Sequence, residues 1–335
     1  MDKKPYKNDV AVLILFFCRD QKLQKVFDSV KEARPSRLYL YQDGARGGND
    51  SDVEGIKRCR EIVDDKNIDW ECEVHRFYCD HNNGCDPSGY LSRKFLFEHE
   101  TKGIILEDDT VPSQSFYRYC SELLDLYEND EKISLICGMN NIDVSNHIKE
   151  SYSFTKYGGI WGWATWKRCF DKWDTSYSWL DDKKKLEIIR GQISKESYDS
   201  FISTAKWHRD TGKEYFETLY YAAQLLENGF AIVPKYNLIS NIGIDNETTH
   251  GVSDVRLLPR NVQKLLFKKA YEIDFPLVHP GSVERDYIYE KKRSVSKLEK
   301  KLQRIESYVR YLIFKGPKAT LERLTNKMSK RKAKQ

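Results

Sequence analysis

The sequence lacks the apolar run of roughly 20 residues that a membrane-spanning helix needs. The apolar run at residues 10–18 is short, and the polar residues 1–9 before it do not resemble a secretory signal. The eight cysteines form no CxxC pair and match no zinc-binding spacing. Several lie inside apolar runs, as buried reduced thiols do. We therefore expect a cytoplasmic protein without a transmembrane helix.

Taken together, the residues before the C-terminal end contain fewer basic than acidic side chains. The net charge is +5, but residues 285–335 contain 17 Lys or Arg against 5 Asp or Glu, a balance of +12. The rest of the chain holds 39 basic and 46 acidic residues, a balance of −7. Such a tail could meet anionic lipid or nucleic acid, or simply keep a terminal helix soluble.

Within this tail, apolar residues recur at helical spacing between basic ones in residues 297–314. Basic amphipathic helices suit the surface of an anionic bilayer. We therefore predict a helical tail over 281–335 that contacts the inner face of the plasma membrane through residues 297–335, with no nucleic-acid partner.

The first third of the chain alternates strand and helix patterns. Predicted strands cover 10–18, 38–41, 70–78 and 103–106, and predicted helices cover 21–34, 52–63 and 91–100. This alternation predicts an α/β fold with a mostly parallel, Rossmann-like sheet, whose ligands lie beyond the carboxyl ends of the strands. Further helices are expected at 116–127, 214–228 and 262–271.

Three consecutive acids, Glu107-Asp108-Asp109, follow the apolar segment Gly103-Ile-Ile-Leu106 where that strand should end. Adjacent carboxylates repel one another, and a divalent cation relieves the repulsion. Mg²⁺ and Mn²⁺ are commonly held by one or two carboxylates together with substrate phosphates. The alternatives are a helix N-terminal acid cluster or a solvated turn.

Other candidates lie after strands or near aromatic residues. Asp43 ends the second strand and could contact a base or ribose, or form an Asp-Gly turn; Arg19 could approach a base or phosphate, or pair with a surface acid. Trp161-Gly162-Trp163 could form a sugar-stacking pocket, or tryptophans buried in a core.

Two further residues are candidates for acid–base chemistry and metal binding. Glu217 lies in an apolar part of the helix at 214–228, a context that can raise the pKa of a general base, with Glu214 as its competitor. His250 could add a nitrogen ligand to a metal, or lie solvated in a polar loop.

Taken together, four segments resemble the bacterial nucleotide-diphospho-sugar transferases of hemolytic-protein-like type, which have a GT-A fold. The segments contain Glu107-Asp-Asp109, Trp161-Gly-Trp163, Asn237-Leu-Ile-Ser-Asn241 and Phe275-Pro-Leu277. Residues 10–116 are also similar, more distantly, to the N-acetylglucosaminyltransferase that starts complex N-glycans. Glu217 stands where the bacterial family has Asp.

The resemblance implies a nucleotide-sugar-binding half (1–110), an acceptor-binding and catalytic half (111–280) and a role for each site residue. Asp43 would contact the base, Glu107 the ribose and Asp108 the diphosphate, while Asp109 would bind Mn²⁺ or Mg²⁺. The implied reaction is an inverting transfer of a sugar, most simply from a UDP-sugar, to a glycan or lipid-linked acceptor in cell-surface polysaccharide synthesis, with Glu217 as base.

Two alternatives to a glycosyltransferase stay open. A sugar-1-phosphate nucleotidyltransferase would use a similar sheet and similar acids, but usually has a glycine-rich phosphate loop after the first strand. Phe17-Cys-Arg-Asp-Gln21 offers no glycine there. A noncatalytic membrane-surface module, with the basic tail as its working part, is the other alternative.

Overall fold

A computed structural model describes residues 3–244 and 254–332. The ten strands found in this part of the chain are β1 (Asn8–Phe16), β2 (Pro35–Gln42), β3 (Glu73–Tyr78), β4 (Lys102–Glu107), β5 (Thr110–Pro112), β6 (Ile133–Cys137), β7 (Tyr152–Thr155), β8 (Trp163–Trp166), β9 (Phe230–Pro234) and β10 (Ile239–Asn241). The α-helices described are α1 (Asp20–Ala33), α2 (Asp50–Ile62), α3 (Cys85–Phe97), α4 (Gln114–Leu126), α5 (Lys167–Phe170), α6 (Lys183–Arg190), α7 (Lys195–Thr211), α8 (Phe216–Leu226), α9 (Arg260–Gln263), α10 (Tyr287–Arg293) and α11 (Lys297–Lys332).

Eight strands form one sheet in the order β3-β2-β1-β4-β8-β6-β9-β7. Four of its neighbouring pairs are parallel, and the pairs β4–β8, β6–β8 and β7–β9 are antiparallel. A second, two-stranded sheet pairs β5 with β10. The predicted α/β class with a mostly parallel sheet is therefore confirmed.

Helices cover both faces of the large sheet because successive side chains of its central strand point to opposite sides. In β1, Val12 and Ile14 belong to the hydrophobic cluster that includes α1, α2 and α4. Ala11 and Leu13, between and beside them, belong to the cluster that includes α3 and the start of α8. This double burial explains why the segment reads as continuously apolar.

The strand order reverses at β1. The chain moves outward from β1 to β2 and β3, and then returns to pair β4 with the other side of β1. In open α/β sheets, a crevice that binds ligands lies outside the carboxyl ends of the strands at such a reversal. Arg19 follows β1 and Asp108 follows β4, so both lie at this crevice.

The helix predicted at 262–271 is wrong. Only α9 forms there, and Phe267 has a left-handed backbone (φ 53) that a helix does not accommodate. The segment instead runs along β10, with the Phe267 N–H donating to the Asn241 carbonyl (2.8 Å) and the Tyr271 N–H to the Asn237 carbonyl (2.8 Å). Backbone pairing with β10 thus replaces the internal hydrogen bonds of a helix.

The basic tail is helical, as predicted, in α10 and α11. Among residues 3–244 and 254–332, we find no helix that combines the length and the apolar character of a membrane span.

Candidate active site

The three acids at the carboxyl end of β4 divide between two basic partners, Arg93 for Glu107 and Arg19 for both aspartates. Glu107 is the last residue of β4, and the Asp108 N–H donates to the Leu15 carbonyl of β1 (3.0 Å), which fixes the turn against the neighbouring strand. Asp108 and Asp109 are buried, at 3% and 8% relative exposure. Two buried carboxylates in succession need a cation close by.

Arg19, directly before α1, supplies positive charge to both aspartates. Its guanidinium bonds to the Asp108 carboxylate and lies 2.9 Å from Asp109 Oδ2. From the sequence, Arg19 was expected at a base or phosphate, or paired with a surface acid; the structure pairs it with these two buried acids, at the edge of the same crevice. Burial nevertheless raises the pKa of Asp109 to about 6, with Arg19 opposing the shift.

The walls around Asp109 come from β10 and the residues after it. The Ile242 N–H donates to the Asp109 carbonyl (2.8 Å), and the Asn241 side-chain amide lies 3.5 Å from Asp109 Oδ1. A Cβ on Gly243 would lie 2.4 Å from Asp109 Oδ2, so only glycine fits there without a shift. The segment that carried part of the family resemblance thus packs directly on Asp109.

The donors at this point fit a divalent cation in their chemistry. Asp108 and Asp109 offer carboxylate oxygens, the ligands that Mg²⁺ and Mn²⁺ prefer, and the raised pKa of Asp109 reflects charge that burial leaves poorly compensated. Within residues 3–244 and 254–332, no three His, Cys, Asp or Glu side chains converge as a metal-binding group. A cation here would therefore rely on substrate oxygens as well. The predicted ligand His250 lies outside the described residues.

Asp43, at the carboxyl end of β2, anchors a loop. It accepts from the Asn83 N–H (2.8 Å), the Gly84 N–H (3.0 Å) and the Asn82 amide (2.9 Å). These bonds hold the loop that leads into α3, whose first turn lines the crevice. Contact between Asp43 and a nucleobase stays a prediction.

A cavity of about 290 Å³ opens between these elements. Its walls combine the apolar side chains of Leu15, Phe16 and Phe17 with polar ones, and its lining includes Arg19, Asp43, Glu107, Asp108 and Ser88 of α3. Apolar walls with a few convergent polar groups are typical of small-molecule sites.

A buried ion pair, which the sequence analysis missed, lies under Glu107. The Arg93 side chain is fully buried, and its Nη2 donates to Glu107 Oε1 (3.2 Å). Its guanidinium lies 4.1 Å from the centroid of the Phe216 ring. Arg93 shares the buried face of α3 with Leu96 and Phe97. A basic residue on an otherwise apolar helix face was the sequence signal that could have indicated a buried ion pair.

A second, larger cleft of about 700 Å³ lies beside the first turn of α8. Glu217, in the first turn of α8, lines it, and the surrounding protein raises the pKa of this carboxyl by displacing water. The rings of Tyr215 and His208 stack at 3.6 Å on the same wall, beside the indole of Trp207, which is 46% exposed.

The two cavities adjoin at the first turn of α3. Cys85 lines the smaller cavity and its neighbour Asp86 lines the larger one. Behind them, the Arg93 guanidinium bonds to Glu107, which lines the smaller cavity, and packs on the ring of Phe216, the residue before Glu217 of the larger one. One site therefore presents an acidic pocket beside an aromatic cleft that contains a carboxylate.

Trp163, the first residue of β8 after the aromatic turn, lies in the core, which was the alternative to a sugar pocket, while a sugar contact at Trp161 stays a prediction. Trp163 is 1% exposed and packs in the core between β4 and β6, because alternate residues of a strand inside a covered sheet are buried. Gly162 has φ +61, and a Cβ there would lie 2.4 Å from Ile239. Trp161 is half-buried against the same hydrophobic cluster as Ile239. The exposed aromatic side chain beside Glu217 is Trp207 instead.

No protein-family model matches this sequence, and no curated protein matches it. Similar solved structures include a UDP-glucose pyrophosphorylase (TM-score 0.34, 10% identity, 72% of this chain and 93% of that chain). They also include the inositol-1-phosphate CTP transferase from T. maritima (TM-score 0.28, 12% identity, 50% and 74%). Their names indicate nucleotidyltransferases, the class kept as an alternative above. TM-scores this low leave the choice of reaction to the geometry of the site.

Proposed function

We propose that this protein is a glycosyltransferase that moves a sugar from a nucleotide-diphosphate donor to a hydroxyl of a glycan or lipid-linked acceptor. The observation that carries the proposal is the pair of adjoining cavities: the acidic one at the strand reversal and the aromatic one with Glu217. A transfer between two substrates needs two such neighbouring sites, and the strand reversal is where open α/β sheets bind nucleotides.

In this proposal the smaller cavity binds the donor. Phe17 offers an apolar surface to the base, Glu107 faces the ribose and Asp43 shapes the loop beside it. Asp109 and Asp108 would hold Mn²⁺ or Mg²⁺, which supplies charge neutralisation to the leaving diphosphate. Arg19 bridges the same aspartates and supplies a second positive charge at that edge of the cavity.

The larger cleft binds the acceptor. Its exposed Trp207 indole offers a flat face on which a sugar ring can stack. Glu217 takes the proton of the acceptor hydroxyl while the hydroxyl oxygen bonds to the anomeric carbon and the bond from that carbon to the diphosphate oxygen breaks. A carboxylate whose pKa is raised is a stronger base than an ordinary glutamate, provided that it remains ionised at the working pH. Attack from the side opposite the diphosphate would invert the anomeric centre.

Two substitutions test the assignment. Glu217→Gln should slow transfer by roughly 10² to 10⁴, the usual contribution of a general base, while donor affinity stays unchanged. Glu214→Gln, three residues earlier, serves as the matched control because Glu214 was the competing base. Transfer lost in the Glu214 variant and kept in the Glu217 variant would reassign the base.

The choice of substrates, rather than a mutation, distinguishes a nucleotidyltransferase from the proposed glycosyltransferase. Such an enzyme would release pyrophosphate from a nucleoside triphosphate and a sugar-1-phosphate. The proposed glycosyltransferase would instead release a nucleoside diphosphate from a nucleotide-sugar. Both products are measurable on the wild-type protein with Mn²⁺ present.

A further inference from the structure

The C-terminal helix α11 is folded into a hairpin. Gly316 has a non-helical backbone (φ 83, ψ 174) and Pro317 follows it, so the helix divides at this point. Arg323, beyond the division, reaches back to Ser307 Oγ (3.2 Å), and its guanidinium lies 4.5 Å from the centroid of the Tyr311 ring. We call residues 298–323 the tail hairpin.

One side of the first helix of the tail hairpin attaches it to the body of the protein. Glu306 accepts from the Arg260 N–H (3.1 Å), and Arg310 donates to the Arg256 carbonyl (3.2 Å). The Arg256 guanidinium also lies 5.0 Å from the ring of Phe314. The first helix of the tail hairpin thus contacts the body of the protein on one side and the returning second helix on another.

The third side carries an apolar stripe. Spacings of three and four residues align its members along one face of a helix. They are Leu298 (67% exposed), Leu302 (53%), Ile305 (52%), Val309 (48%), Leu312 (46%) and Ile313 (68%). A contiguous exposed patch of this kind marks an interaction surface, whereas single exposed apolar residues do not.

We propose that the apolar stripe of the tail hairpin docks on a bilayer that contains anionic phospholipid. The charge of the chain selects this partner, because residues 285–335 carry +12 while the remainder carries −7. Lys301 and Arg304 are exposed on the same helix, where they can meet headgroups while the stripe enters the boundary with the acyl chains. Pairing of this stripe with the same stripe of a second copy would bring two strongly positive tails together, and the two tails repel each other.

The test is sedimentation of the full chain with phosphatidylcholine vesicles, with and without phosphatidylglycerol. Binding is expected only with the anionic lipid, and added NaCl should weaken it because salt screens the attraction. The double variant Leu302→Gln and Ile305→Gln should lower the partition coefficient by at least about tenfold, since two half-exposed apolar side chains no longer enter the lipid. Leu126→Gln on α4 is the matched control, because Leu126 is also 53% exposed and lies outside the hairpin.

Several outcomes would overturn the proposal. They are binding absent from both vesicle types, equal binding to neutral and anionic vesicles, and equal loss in the Leu126 control. A concentration-dependent dimer in sedimentation velocity, abolished by the double variant, would assign the stripe to a second copy instead. Lys301→Gln with Arg304→Gln gives a second check that leaves the stripe intact: it should weaken binding to anionic vesicles, and unchanged binding would contradict the role of the positive charge.

Discussion

Gly243→Ala tests the contact between the backbone after β10 and the carboxylate of Asp109. The added Cβ would lie 2.4 Å from Asp109 Oδ2 and 3.0 Å from both Asp109 Cγ and Asn241 Oδ1. Ordinary contacts of a Cβ begin near 3.4 Å, so the Asp109 carboxylate or the Gly243 backbone has to move by about 1 Å. A displacement of that size at a reacting centre can cost roughly 100-fold in rate.

The expected result is a loss of about 100-fold in sugar transfer. Weaker Mn²⁺ binding should accompany it, by roughly 10- to 100-fold, as when the groups that orient a metal ligand are changed. Electron paramagnetic resonance of unbound Mn²⁺ measures that affinity without requiring turnover. Gly281→Ala is the matched control, because nothing lies within 4 Å of a Cβ built there. If both variants bind Mn²⁺ and transfer sugar equally well, Asp109 is not part of the working site.

Three further results follow from the site. Trp207→Ala should raise KM for the acceptor and leave hydrolysis of the donor in the absence of acceptor unchanged. If donor hydrolysis changes instead, the assignment of donor and acceptor to separate cavities is contradicted. Burial raises the pKa of Glu217 above the ordinary value for glutamate, about 4.3, and a general base works only when it is ionised. We therefore expect kcat/KM to fall as the pH falls through this raised pKa. A pH profile without this decrease on the acid side argues against Glu217. Arg93→Met should cost about 2–3 kcal/mol in urea unfolding, somewhat below the roughly 3–5 kcal/mol for breaking a fully buried pair, because the Glu107 side chain is 29% exposed. Arg58→Met, which removes a surface ion pair with Asp20, should cost much less. Equal losses in the two variants would contradict the role of Arg93.

The periodicity of apolar residues and the position of polar residues after strands predicted much of the fold. The apolar run of β1 predicted a strand covered on both faces, and the acids after β4 predicted a site at the end of a strand. Both are local signals, since they follow from side-chain alternation and from the cost of crowded charge. The start of α3 was harder to predict, because Cys85 begins the helix inside a stretch rich in Asn, Asp and Gly.

The remaining features depend on contacts between distant segments. The Phe267 N–H bonds to the carbonyl of Asn241 in β10, and no local sequence pattern predicts this pairing. Trp163 and Trp207 are both tryptophans, yet one lies in the core and the other borders a cleft. Only the antiparallel insertion of β8 between β4 and β6 decides which of them is accessible.

The proposed reaction is tested most directly by supplying a panel of nucleotide-sugars to the full chain with Mn²⁺ and measuring release of nucleoside diphosphate. We expect metal-dependent release from at least one donor. We also expect that Asp109→Asn abolishes this release without lowering the thermal unfolding temperature. The contradicting result is that no nucleotide-sugar is cleaved, while a sugar-1-phosphate and a nucleoside triphosphate yield pyrophosphate.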